Sequence, residues 1–226
     1  MSLLGKACLA MWWDMAPDMR AEFEHWHSHE HFPERLAIPG FQRATRFTSA
    51  DGGEGVFVMY ELEAHEVVAS PAYLASLNAP SPWSTQMMPH HRNMVRSQCQ
   101  VLASRGAGVA RQVLTLRLSP ASGRAGELQA SLAARMPGWA GQPGLAGVHL
   151  LRHQPPAIAQ TTEQKIRGGD QAADWVLVVC GYDAAALETW AQTAVSESAL
   201  VALGARPGQV RGRYALSLSA TPADMR

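Results

Sequence analysis

Charge of either sign is scarce in this 226-residue chain: charged residues make up 17%, 19 basic side chains balance 19 acidic ones, and the formal net charge is zero. Without a basic surplus the chain cannot neutralise a run of phosphates, which argues against nucleic acid as a partner. Cysteine is rare as well. Cys8, Cys99 and Cys180 are odd in number and far apart, so neither a disulfide framework nor a CxxC metal site is expected; they read as small buried apolar residues of a cytoplasmic protein. Apolar runs such as Trp175 to Cys180 fall far short of the roughly 18 residues of a spanning helix, so no membrane partner is expected. The start, Met1-Ser2-Leu3-Leu4-Gly5-Lys6, does not follow the order of an export signal. GxGxxG, P-loop and GxSxG patterns are missing too, so nucleotide and acyl-serine chemistry find no support.

What the chain does have is apolar material, 47% of its residues, enough for a full core. It also has a two-fold echo. Pro33, Pro39, Gly40 and Phe41 recur as Pro137, Pro143, Gly144 and Leu145 at a constant offset of 104 residues. The flanks match element by element. Strands are expected at Ala7 to Trp13 and Val113 to Leu118, then helices at about Pro17 to Glu30 and Gly123 to Met136, the first ending or kinking close to His31 because Pro33 disfavours helix at Phe32. Strand pairs follow (Phe41 to Phe47 with Val56 to Leu62; Leu145 to His153 with Trp175 to Gly181). Second helices come next, at about Ser70 to Leu77 and Ala184 to Leu203, the latter with Asp183 as N-cap and Gly204 as C′. Last strands run from Met94 to Ala103 and from Val210 to Ser219. Each half therefore reads β-α-β-β-α-β, residues 1–104 and 105–226, joined by a flexible linker at Ser104 to Gly108. Such a unit leaves one sheet face bare, and two units cover each other sheet on sheet. The fold class expected is α+β, with two ferredoxin-like repeats pairing their antiparallel sheets into one barrel.

Strand alternation places aliphatics toward the helices and leaves Arg43, Thr45 and His149 pointing between the sheets, with Arg96 assigned to the same face. Buried Arg and His without partners cost several kcal/mol, so these groups pair, meet solvent at a rim, or line a wet pocket. Tyr60 joins them as a pocket candidate.

The segment His25-Trp26-His27-Ser28-His29-Glu30-His31 holds four of the nine histidines. His27 and His31 flank an apolar stripe on one side and His25 and His29 on the other, so each i, i+4 pair could clamp a metal; the bland reading is a polar helix face. A histidine at a helix C-terminus feels the negative end of the dipole, and a neighbouring Glu30 pushes the same way, toward the protonated form. That makes His31, with Glu30, the candidate general acid/base; plain capping of the last carbonyls is the alternative. Trp83, His90 and His91 lie in a loop before strand four, and residues 161–170 form an insertion that is either a mobile flap or a surface loop.

Trp26, His31-Phe32-Pro33, Leu36 and Pro39-Gly40-Phe41 resemble the helix-one signature of EthD-like proteins of the dimeric α+β barrel superfamily; the second half keeps the Pro-Gly turn and lacks His-x-Pro. The resemblance implies a tandem-fused barrel with an interior pocket and cofactor-free dehydratase, isomerase or monooxygenase chemistry on a small lactone, carbonyl or aromatic substrate, with His31 as the acid/base residue. Haem-binding relatives make a haem or metal protein the second reading, and a non-catalytic ligand-binding barrel the third. No cofactor is called for in the first. The expected partner is a small molecule between the sheets, and the chain is a monomer or a homodimer.

Overall fold

The structure, a computed structural model, describes residues 3–225; Met1 and Ser2 of the N-terminal stretch read above, and Arg226, lie outside them. Eight strands, β1 (Ala7–Asp14), β2 (Phe41–Ser49), β3 (Gly55–Leu62), β4 (Arg92–Gly106), β5 (Gln112–Leu118), β6 (Leu145–His153), β7 (Trp175–Gly181) and β8 (Val210–Ala220), close into a barrel in the order β1-β3-β2-β8-β5-β7-β6-β4. Every ladder in it is antiparallel. The strands of the first half stand in the order 4-1-3-2 and those of the second in the equivalent order, so the halves meet at two seams, β2 with β8 and β4 with β6. This is the α+β barrel of two ferredoxin-like units.

The helices pack outside. In the first half they are α1 (Arg20–Trp26), a π-helical turn (His27–His31), α2 (Phe32–Leu36), α3 (Pro71–Asn78) and α4 (Pro82–Met87); in the second, α5 (Ala125–Ala140), α6 (Thr162–Ile166), α7 (Ala184–Ala194) and α8 (Glu197–Ala202). The two Pro-Gly turns do the same job twice. Gly40 and Gly144 take φ of +93° and +88°. Their carbonyls accept from Glu63 N at 2.8 Å and Tyr182 N at 2.9 Å. A Cβ would meet Val67 at 2.5 Å in one case and Ala186 at 2.2 Å in the other, so only glycine fits.

Several expectations need correction. Of the two outcomes allowed at His31, helix does not end there but changes to a π turn. The Phe32 N–H bonds back to His27 O, a π turn that shifts the hydrogen-bond frame by one residue just before Pro33, whose ring and missing N–H an unbroken α-helix would not accommodate. The helix expected over Ala184 to Leu203 breaks at Val195, because Ser196 starts α8 by accepting from Ala199 N. Asp183 does cap α7, through Ala185 N and Ala186 N. The linker is not loose either: Ser104, Arg105 and Gly106 pair with β6 as the end of β4.

The greatest difference is the barrel interior, which among the described residues is filled with side chains. Cys8, Ala10, Trp12, Phe47, Phe57, Met59, Val95, Cys99, Val113, Leu151, Val176, Val178 and Cys180 form one buried cluster there. Trp12 stacks on Phe57 at 5.0 Å and donates through its indole N–H to Thr115 Oγ1 at 3.1 Å. Large aromatics on inward positions fill a small eight-stranded barrel with side chains.

Candidate functional site

Two other buried clusters lie between sheet and helices, one in each half. In the second half Leu132, Met136, Trp139 and Trp190 fill that layer. In the first half the layer encloses a small cavity lined by Trp13, Trp26, His27, His31, Arg35, Tyr60, Tyr73, His91, Arg96, Glu163 and Arg167, with Met11, Met88 and Met94. Its volume is about 30 Å³, room for one or two waters.

The π turn sets its histidines. His27 and His31 are both buried and stack with ring centroids 5.4 Å apart, while His31 also lies 4.5 Å from the Trp26 ring. His91 completes the group from the loop before β4, its Nδ1 donating to the carbonyls of Met87 and Met88 at 3.2 Å each. Burial drives all three toward the neutral form. His91 falls to about 3; His27 and His31 fall well below the ordinary value, with Arg46 and Arg35 respectively adding to the effect of burial. This reverses the protonated state expected for His31, because its ring is buried and Arg35 and Arg167 stand nearby. Arg46 Nη1, which can only donate, lies 3.5 Å from His27 Nδ1, so that nitrogen is the acceptor and the proton sits on Nε2.

His31 Nδ1 is buried without a hydrogen bond and lies 3.8 Å from Glu34 Oε2, which is equally unsatisfied. The other carboxylate oxygen of Glu34 accepts from Ser76 Oγ at 2.6 Å. Glu30, the carboxylate expected to serve His31, is outside the lining: it accepts from the Trp26 indole at 3.1 Å and from Ser81 and Ser84, tying the π turn to α4.

Of the other candidates, Tyr60 and Arg96 line the cavity and Arg43, Thr45 and His149 do not. Arg96 sits on the helix side of β4, where its guanidinium donates to Tyr73 Oη at 2.9 Å. Arg96 thus faces the helices and not the space between the sheets, because β4 turns Val95, Cys99 and Val101 inward. Arg43, Thr45 and His149 do point into the barrel, each with a partner there. Arg43 Nε donates to Glu61 Oε1 at 2.6 Å, Thr45 Oγ1 meets Ser219 Oγ at 3.1 Å, and His149 lies between Ser104 Oγ at 2.8 Å and Ala107 O at 3.0 Å. Burial lowers His149 to about 4. The lining residues Arg35, Tyr73, Glu163 and Arg167 carry no local motif and come together only through the fold. The insertion at 161–170 is neither a plain loop nor distant: it contains α6 and covers the cavity. Among the described residues, no group of three or more His, Cys, Asp or Glu side chains is placed to hold a metal ion.

No protein-family model matches the chain, and no curated protein matches it at a significant level. Solved structures do. An anthrone oxidase-like protein superposes with a TM-score of 0.65 at 11% identity, over 100% of this chain and 98% of that one. A proposed monooxygenase of Fusobacterium nucleatum gives 0.60 at 8% identity, over 97% and 96%. A major regulator of staphylococcal pathogenesis gives 0.52 at 10% identity, over 92% and 98%. At these identities the likeness fixes the fold: the chain is an α+β barrel of two ferredoxin-like units, with a buried histidine- and arginine-lined cavity in its first half.

Proposed function

We propose that the chain is a cofactor-independent acid/base enzyme of the dehydratase, isomerase or monooxygenase kind, acting on a small enolisable or phenolic substrate held between sheet and helices of the first half. The observation that carries this reading is the pair His31 and Glu34. A neutral imidazole whose Nδ1 lies 3.8 Å from the one Glu34 oxygen without a hydrogen bond, Oε2, needs only a small closure to hold its proton on that nitrogen, which leaves Nε2 as the base; such bonds are often long before substrate binds. Removing a proton from a substrate C–H or O–H leaves negative charge on oxygen, and Arg96 stands in the same lining to meet it.

The anthrone oxidase-like neighbour suggests a probe. With anthrone, proton removal gives an enolate that dioxygen oxidises; one oxygen atom enters the ring carbon and the other leaves as water, so no further reductant is needed. The test is oxygen uptake with anthrone, together with deuterium exchange next to the carbonyl of small ketones and lactones. His31→Gln is expected to lower the rate by about 100-fold or more with the melting temperature retained, and Glu34→Gln to lower it less. Undiminished turnover in His31→Gln would remove the proposal.

A further inference from the structure

The cavity of the first half is closed by a connection of the second. Residues 154–174 link β6 to β7 and are fastened at both ends. Gln154 N–H donates to Gln98 O at 2.8 Å. At the far end Arg96 N–H donates to Gln171 O at 2.8 Å, Gln171 N–H to Met94 O at 3.0 Å, and Ala173 N–H to Ser97 Oγ at 2.8 Å. Between these anchors α6 opens with a Thr161 and Gln164 capping box and delivers Glu163 and Arg167 to the lining. Gly168 and Gly169, at φ of +81° and +102° with open space around their Cβ positions, provide a pivot.

The charges are divided unevenly across this closure. Glu163, 3% exposed, pairs with Arg35 of the first half and stands 3.6 Å from Arg167, which in turn makes a two-pronged pair with Asp170 at 3.1 and 2.8 Å. Glu163, Arg167 and Asp170 belong to one short segment, whose start is tied to α3 by the Thr162 N–H donating to Asn78 Oδ1 at 3.1 Å. If the segment lifts, Arg35 keeps Glu34 at 3.2 Å, so no isolated charge is left behind. Two groups already wait for an acceptor. The Trp13 indole N–H and the Tyr60 hydroxyl are buried without hydrogen bonds, and Arg96 is held by a phenol, not by a carboxylate. Tyr73 joins the two arginines, receiving the Arg96 hydrogen bond while the Arg35 guanidinium lies 5.7 Å over its ring.

We infer that the cavity takes a planar carboxylate-bearing ligand, and that Glu163 is a built-in stand-in for that carboxylate. The ligand displaces Glu163 from Arg35, lifts α6, and lays its ring among Trp13, Trp26 and Tyr60, with its carboxylate shared between Arg35 and Arg96. The space present now, about 30 Å³, is an order of magnitude below the several hundred Å³ of ordinary ligand pockets, so binding and opening are one event. This narrows the substrate class of the acid/base site; it rests on that cavity being the ligand site and not on His31 being the base.

The test is calorimetric titration with benzoate and with its neutral analogue benzamide. Glu163→Gln, which keeps a hydrogen bond to Arg35 but not the charge, is expected to bind benzoate at least 10-fold more tightly than the unaltered chain and benzamide no better; Arg96→Gln is expected to lose benzoate binding. Equal benzoate affinity in the two chains, or an equal gain for benzamide, overturns the inference. The unaltered chain gives a second readout, since saturating benzoate should accelerate tryptic cleavage after the exposed Lys165 several-fold and benzamide should not; an unchanged cleavage rate also overturns it. His31→Gln separates this inference from the acid/base reading. Lost turnover with no Glu163 effect removes the stand-in alone, and a clear Glu163 effect with full turnover in His31→Gln removes the base alone.

Discussion

His27 and His31 stack on one another at 5.4 Å with their planes 24° apart, and burial drives both rings toward the neutral form. With His91 and His149 they form a set of four buried histidines whose folded-state pKa values all lie below 6.5. Below pH 6.5 the unfolded chain therefore binds protons that the folded chain refuses. Stability is complete above that pH and is lost as the pH falls, by about 1.4 kcal/mol per histidine for the first unit. Urea midpoints measured from pH 8 to pH 5 should be flat above pH 7 and drop steeply below 6.5, with His149→Gln and His91→Gln each flattening the drop. A midpoint independent of pH across that range would contradict the burial described.

Glu30 acts as a fastener between the π turn and the N-terminus of α4, through Trp26, Ser81 and Ser84. Glu30→Ala should cost about 1.5–3 kcal/mol, the range for hydrogen bonds to a charged group, and Glu30→Gln should recover part of it. Chemical denaturation of the three proteins decides this. A Glu30→Gln variant of full stability but without turnover would instead make the carboxylate part of the chemistry.

Inside the barrel, Glu61 is fully buried and pairs with Arg43 at 2.6 Å, while its second oxygen accepts from Leu4 N at 2.6 Å. Arg43→Met leaves that carboxylate unpaired and should cost about 3–5 kcal/mol. Arg43→Met combined with Glu61→Leu should return most of the loss, because an apolar pair suits the surrounding cysteine and aromatic packing. A double variant no better than the single one would show that the pair is not an isolated unit.

The two Pro-Gly turns should respond alike. Gly40→Ala and Gly144→Ala each force a side chain into a left-handed backbone and against a neighbour, Val67 or Ala186, for about 2–4 kcal/mol. Ala186→Gly should relieve part of the Gly144→Ala loss and none of the Gly40→Ala loss. Thermal unfolding of the four proteins is the measurement.

Much of this architecture is legible in the residues. The bounds of β6 and β7, the inward face of β2 at Arg43 and Thr45, and the role of the two glycines all follow from alternation and turn chemistry. The position of the cavity does not, because it depends on volume: Trp12, Phe47 and Phe57 are large enough to fill the barrel, and alternation reports direction without reporting space. The face of Arg96 was hidden because β4 is buried on both sides and its polar residues serve the helix layer. Which carboxylate meets His31 depends on the one-residue shift of the π turn, which turns Glu30 toward Ser81 and leaves Glu34 beside the imidazole. The pairing of Arg35 with Glu163 spans 128 residues and leaves no local trace.

A ring assembled from two identical chains must repeat every hollow and every cover about its axis. Covalent continuity removes that requirement. Here Leu132, Met136 and Trp139 occupy the layer that is hollow in the other half, and the connection of residues 154–174 crosses the seam in one direction only. A ligand held between Arg35 and Arg96 should therefore bind at one site per chain.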